Sequence, residues 1–334
     1  MRILFLSTFM LLAAFSQTLT AQTAPEEAVV IFDVRMDLIA KSEVGKKLLG
    51  MAAMGQTGED EPDPSKMNRL FGAMTLPGSV QEAMGLQMGQ FPMELFARMK
   101  FDDTAEAEKF LNMAKEDNSG TIEKNGKTYY KTPDEGGPMM LLHAIDANTI
   151  EVGTEEFVTD DPSVMPFSDG LKSAWSNVPK DQSLRLVLDL DGAKDLINEA
   201  VEMGKQQGGD PMTQAYLELV DNIKDLRISL DLVGDNLLTI QAAGVDAEQA
   251  EEFKEGLDAL LGTAKLAGGA GLIQLKDANP DAAAVGKSIL DSLNAKLDGT
   301  EVSVVVPKPA KLDEVVSKLI DQVPMMMGGM GPGF

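Results

Sequence analysis

Residues 226–233, Leu-Arg-Ile-Ser-Leu-Asp-Leu-Val, alternate apolar and polar side chains along one short run. Such alternation is typical of a β-strand that buries one face and exposes the other. The turn residues Gly234, Asp235 and Asn236 follow, so we predict that the chain reverses there and forms a hairpin. A pattern buried on one side favours an antiparallel sheet with helices on a single face.

The same alternation recurs at residues 184–190 and at residues 95–101, where Arg98 and Lys100 fall on the polar side. An Asn-Gly pair at residues 125–126 predicts a second hairpin. Between such runs, apolar residues spaced by three and four predict helices over residues 193–201 and 312–323. Asn279 followed by a proline predicts the start of a third helix. The sequence therefore predicts an α+β fold.

Two strand–helix junctions resemble each other closely. Asp103 precedes Glu106 by three residues, and Asp246 precedes Gln249 by three; each pair follows an alternating strand. Each pair has the pattern of a helix cap and is followed by an apolar stripe at helical spacing. We therefore predict two related units, residues 26–160 and 183–323, each an antiparallel sheet with helices packed on one face. Coincidental similarity of two strand–helix units is the alternative.

Residues 161–182 form the predicted connector between the two units. Apolar side chains recur there at helical spacing, which predicts a short amphipathic helix (Phe167, Leu171, Ala174, Trp175, Val178).

Three segments depart from the general composition. Residues 51–93 are rich in methionine, glycine and proline, and we expect an insertion with short helices capped by Ser65 and Ser79. Its methionines are either core or an adaptable binding surface. The Met/Gly-rich tail at residues 324–334 is predicted to be disordered. The glycine run at residues 268–271 is predicted to be a flexible loop.

The N-terminus has the pattern of a secretory signal peptide. Arg2 precedes an apolar run at residues 3–15, and polar residues lead to Ala21. We expect a signal peptide at residues 1–21 and a secreted or periplasmic protein. No later segment is apolar enough over about 20 residues to span a membrane.

The composition restricts the partners. The chain carries a net charge of -24, which repels phosphate backbones and argues against nucleic acid as a partner. It has no cysteine, so the fold has neither disulfides nor thiolate metal sites.

A run of strand formers in the first unit carries a family resemblance. It comprises Tyr129-Tyr130-Lys-Thr-Pro133, then residues 139–146 and 148–154. This pattern resembles uncharacterised exported proteins of planctomycete-type bacteria. The resemblance implies an exported α+β protein of unknown activity, and it supplies no catalytic residue.

Few residues point to chemistry. His143 is the sole histidine and lies in an apolar predicted strand, so we interpret it as a core residue and not as a catalytic base. The acidic pairs at residues 102–103, 155–156, 160–161 and 251–252 are interpreted as solvated acids or caps. Asp189 and Asp191 before Gly192 lack the remaining ligands of a calcium loop. We predict no catalytic, cofactor-binding or metal-binding residues.

The leading hypothesis is an exported, non-enzymatic interaction protein whose partner is unknown. The main alternative is a carrier of an apolar ligand, held in a groove between sheet and helices. A hydrolase and a Cu(I) binder are further alternatives, the second because residues 325–327 and Met330 offer thioethers.

Overall fold

A computed structural model describes residues 28–54, 62–76, 94–116, 120–124, 126–132, 139–155, 167–206 and 219–328. The predicted signal peptide and the capping box at Ser79 lie outside these ranges.

The described residues form twelve strands and eight α-helices. The strands are β1 Val30–Arg35, β2 Met67–Met74, β3 Leu95–Phe101, β4 Thr121–Lys124, β5 Lys127–Lys131, β6 Leu141–Asp146, β7 Thr149–Gly153, β8 Leu184–Asp189, β9 Ile223–Leu230, β10 Asn236–Gly244, β11 Ala295–Asp298 and β12 Glu301–Pro307. The helices are α1 Met36–Ile39, α2 Glu43–Met54, α3 Thr104–Glu116, α4 Asp169–Ser176, α5 Lys194–Gln206, α6 Ala247–Ala278, α7 Pro280–Ser292 and α8 Leu312–Gly328. This confirms the predicted α+β class.

All twelve strands belong to one sheet, in the order β11-β12-β10-β9-β8-β1-β2-β3-β7-β6-β5-β4. Every pairing between neighbouring strands is antiparallel. The sheets of the two predicted units are therefore continuous. They join where β1 pairs with β8, with Asp33 opposite Arg185.

The strand order of the second half repeats that of the first. From the central junction outward, the first half runs β1-β2-β3-β7-β6 and the second runs β8-β9-β10-β12-β11. The first half adds the hairpin of β4 and β5, whose turn holds Gly126 at a φ of 74°. The matching order supports a duplication; superposition of the halves stays a prediction.

The two faces of the sheet differ. One face is apolar and packs against α3, α5 and α6, as at Phe101 on β3 and Phe253 on α6. The connector forms α4 on the opposite face, where Leu171 and Ala174 pack on Ile31 and Val187. The Ser168 hydroxyl caps α4 by accepting the Leu171 N–H at 3.0 Å.

Two segment predictions need correction. Residues 67–74, within the expected Met-rich insertion, form the central strand β2, because Leu70 and Met74 are buried on the apolar face while Phe71 and Ala73 pack on the opposite face. Helix α8 continues to Gly328, so the first five residues of the expected disordered tail are helical. Methionine is a good helix former, which favours this extension.

Candidate functional site

The polar face of the sheet carries buried ion pairs at the junction of the halves. Asp33 is fully buried and accepts hydrogen bonds from Arg185 and from Arg69, whose Nε lies 2.6 Å from Oδ1. The Arg185 guanidinium lies 4.1 Å from the centre of the Trp175 ring on α4. These contacts tie β1, β2, β8 and α4 together, which is a structural role.

His143 lies in β6 and is buried, as the sequence predicted. Its ring centroid is 4.5 Å from that of Tyr129, and its Nδ1 is 4.0 Å from Glu151 Oε1. Glu151 also accepts a hydrogen bond from Arg98 Nε at 2.6 Å. The histidine therefore sits inside a packed polar cluster of the sheet.

The acidic residues singled out in the sequence have structural partners or lie in solvent. Asp103 Oδ1 accepts the N–H of Glu106 and so caps α3, as predicted. Asp189 accepts the Ser168 hydroxyl and the Gly192 N–H, which closes the turn after β8. Residues 251–252 are exposed on α6, and residues 156 and 160–161 lie outside the described ranges.

One further carboxyl has a perturbed environment on the polar face. Burial raises the pKa of Asp225, and the neighbouring Arg227 opposes that rise. Arg227 donates to Asp225 at 2.8 Å and to Glu301 at 2.8 Å. The described residues contain no group of three His, Asp or Glu side chains that could hold a metal ion. The side chains of residues 325–327 and Met330 are not among those described.

Helix α6 is the element with the most unusual surface. The side chain of Asp246 caps it by accepting the Gln249 N–H at 2.9 Å, as the sequence predicted. It runs for 32 residues to Ala278, which is about 48 Å at 1.5 Å per residue. Asn279 then caps α7 by accepting the Ala282 N–H.

The two halves of α6 pack against different partners. Ala250 and Phe253 in the first half are buried against the sheet. In the second half, Gly268 faces Leu290 of α7, and Leu272 faces Gly286 of α7. The glycine run predicted to be a loop is therefore part of a helix. A Cβ atom added at Gly268 would lie 2.9 Å from Leu290, and one added at Gly286 would lie 2.6 Å from Leu272, so both glycines let α6 and α7 pack closely.

The second half of α6 exposes large apolar side chains. Leu266 is 80% exposed and Ile273 is 73% exposed, while Leu275 is 38% exposed. Leu266 and Ile273 are seven residues apart, which places them on the same side of a helix. Three further exposed residues lie on that side and are small: Ala259, Thr263 and Ala270. We call these five positions (Ala259, Thr263, Leu266, Ala270, Ile273) the α6 apolar face.

This surface lacks the charge found elsewhere on the chain. Residues 259–275 contain one charged side chain, Lys265, and no acid. The Lys265 ammonium donates a hydrogen bond to the Asn294 side chain at 2.8 Å. Asn294 lies between the end of α7 and the start of β11. Asp258 precedes this stretch and accepts a hydrogen bond from Lys254. That hydrogen bond lowers the pKa of Asp258.

Glycines on α6 leave open space around the helix. A Cβ atom added at Gly262, Gly269 or Gly271 would meet no atom within 4 Å. A glycine inside a helix costs about 1 kcal/mol relative to alanine. Packing within the described part of the chain does not explain why glycine stands at these three positions.

The sequence did not reveal this site, because the glycine run suggested a loop and obscured the apolar stripe. The available signal was the spacing of Leu266 and Ile273 within a stretch free of acids. Among the described residues, no helix has the length and apolar character needed to cross a membrane.

The groove expected for a carrier would lie between the sheet and its helices. Where the structure describes this interface, buried apolar side chains occupy it, including Met99 and Phe101 on β3 and Ala107 on α3. Met84 and Met88, in the Met-rich segment of residues 51–93, lie outside the described residues.

No protein-family model and no curated protein matches this chain. Among solved structures it is similar to TP0453 in crystal form IV, with a TM-score of 0.38 and 8% identity over 88% of this chain and 93% of that chain. TP0453 in crystal form I gives a TM-score of 0.35 and 9% identity, over 90% of this chain and 96% of that chain.

Proposed function

We propose that this chain is an exported binding protein without catalytic activity, and that it binds through the α6 apolar face. The observation that carries the proposal is the exposure of Leu266 and Ile273, at 80% and 73%, within residues 259–275 of α6, a stretch that has no acid. A helix that is apolar on all sides is normally covered on all sides. Here α7 covers one side.

Charge supports the same surface. A chain of net charge -24 repels most acidic proteins over most of its area. The α6 apolar face is a local exception, because residues 259–275 contain no acid and the nearest acids along the helix are Asp258 and Asp277. An apolar partner surface can therefore approach this face without burying a carboxylate, which would be costly.

The side chains that could have supplied chemistry support a non-catalytic role. Asp33 binds two arginines, Asp189 closes a turn, and His143 is buried against Tyr129. Each of these contacts stabilises the sheet or its connections. Export itself is proposed from the pattern of residues 1–21.

A neutral polarity-sensitive dye tests the proposal. Nile red suits this chain, because an anionic dye would be repelled by the net charge of -24. At submicromolar protein, Nile red fluorescence should fall by about twofold or more in the double variant Leu266→Gln/Ile273→Gln, since the apolar area is removed. Glutamine keeps the helix propensity high, so the melting temperature should stay nearly unchanged.

Val233→Gln is the matched control. Val233 is 51% exposed but lies in the turn between β9 and β10, at the opposite end of β10 from the start of α6. This variant should retain the dye signal. Equal fluorescence from the double variant and the natural chain would contradict the proposed surface.

A further inference from the structure

This inference rests on the proposed function. We propose that the partner of the α6 apolar face is the same face of a second copy of this chain. The two helices run antiparallel and are related by a two-fold axis at the level of Gly268. The positions of the face, with Asp277 at its end, follow spacings of four and three residues (259, 263, 266, 270, 273, 277). This is the seam pattern of paired helices.

The seam is complementary to itself. Its positions lie two, five and nine residues on either side of Gly268. An antiparallel copy therefore faces Leu266 with Ala270 and Ile273 with Thr263, a large side chain against a small one in each case. Alternation of large and small residues across facing positions lets the layers of a helix pair interdigitate.

The glycines and charges fit a protein helix better than a lipid surface. Gly262 and Gly269 lie beside the face and leave open space, and small residues let two backbones approach closely. Helices that lie on membranes carry lysines and arginines on a polar face, whereas the side of α6 opposite the apolar face packs against α7. The net charge of -24 repels anionic lipids, and it also opposes the approach of two copies at low salt, so association is measured at about 0.15 M salt, where exposed charges more than about 8 Å apart are largely screened.

The expected contact is small. From Ala259 to Ile273 the face is about 21 Å long, and it is about 10 Å wide, so its area is well below the roughly 800 Å² per partner of a standard interface. Association should therefore be weak and depend on protein concentration. Sedimentation velocity of the full chain from about 1 µM to about 300 µM should show a rising dimer fraction.

The dimer fraction should disappear in Leu266→Gln/Ile273→Gln and persist in Val233→Gln. A natural chain that remains monomeric at the highest concentration would overturn self-association. If the Nile red signal of that monomeric chain still depends on Leu266 and Ile273, the proposed function stands without self-association. If the signal does not depend on them, the proposed function and the proposed dimer both fail. Co-sedimentation of the monomer with phosphatidylcholine vesicles would also overturn the proposal in favour of lipid.

Cysteine pairs test the register, because the natural chain has no cysteine. Thr263→Cys and Ile273→Cys chains, mixed and mildly oxidised, should form disulfide-linked dimers. Each alone should not, since its two copies would lie about 15 Å apart along the axis, beyond the ~7 Å between Cα atoms that a disulfide can span. Cross-linking of Thr263→Cys alone, as a parallel pair would give, would overturn the antiparallel arrangement.

Discussion

Asp33→Asn is expected to lower the free energy of unfolding by about 3–5 kcal/mol. The side chain keeps its shape but loses the charge that two arginines share, and Arg185 is left buried without a full counter-charge. Asp33 also lies on β1, at the pairing with β8 that joins the halves. Urea denaturation followed by Trp175 fluorescence measures the change, since that ring packs on Arg185.

The control for Asp33 is an exposed ion pair. Asp291 accepts a hydrogen bond from Lys287 at 2.5 Å on α7, and both side chains are mostly exposed. Exposed pairs of this kind contribute roughly 0.3–0.5 kcal/mol. Asp291→Asn should therefore change stability little. Similar losses at both sites would mean that the Asp33 network does not hold the junction.

Phe101→Ala should cost about 3–5 kcal/mol, the usual loss for a buried aromatic ring. Phe101 is 1% exposed on the apolar face of β3, and its ring centroid lies 6.1 Å from that of Phe110 on α3. Because the sheet is continuous, circular dichroism and Trp175 fluorescence should report one transition, shifted equally.

Leu319→Ala is the control for that substitution, since Leu319 is an apolar residue of α8 that is largely exposed. It should shift the transition little. Two separate transitions, with only one displaced by Phe101→Ala, would instead mean that the halves unfold independently and that the β1–β8 pairing contributes little.

Much of the local structure could be predicted because it depends on neighbouring residues. The alternation at residues 226–233 correctly predicted most of β9. The helix caps at Asp103 and Asp246 are formed as predicted. The connector helix followed from its apolar spacing, and Leu171 is indeed buried. Periodicity and capping are local signals, which explains this agreement.

The joining of the two sheets could not be predicted, because the β1–β8 pairing depends on contacts about 150 residues apart in the chain. Likewise, Arg98 was placed on a polar face, but its ion pair with Glu151 on β7 required the strand order. The α6 apolar face was missed because glycine disfavours helices locally, whereas Gly268 contacts Leu290 of α7.

A cysteine scan of residues 259–276 tests most directly the claim that α6 offers an accessible apolar face. Single cysteines, introduced into a chain that has none, are reacted with a neutral maleimide at submicromolar protein. Thiols at Thr263, Leu266, Ala270 and Ile273 should react nearly as fast as in the unfolded chain. A thiol at Leu272, which faces Gly286 of α7, should react about tenfold or more slowly. Uniformly fast reaction would contradict the helix, and slow reaction at Leu266 and Ile273 would contradict the exposed binding face.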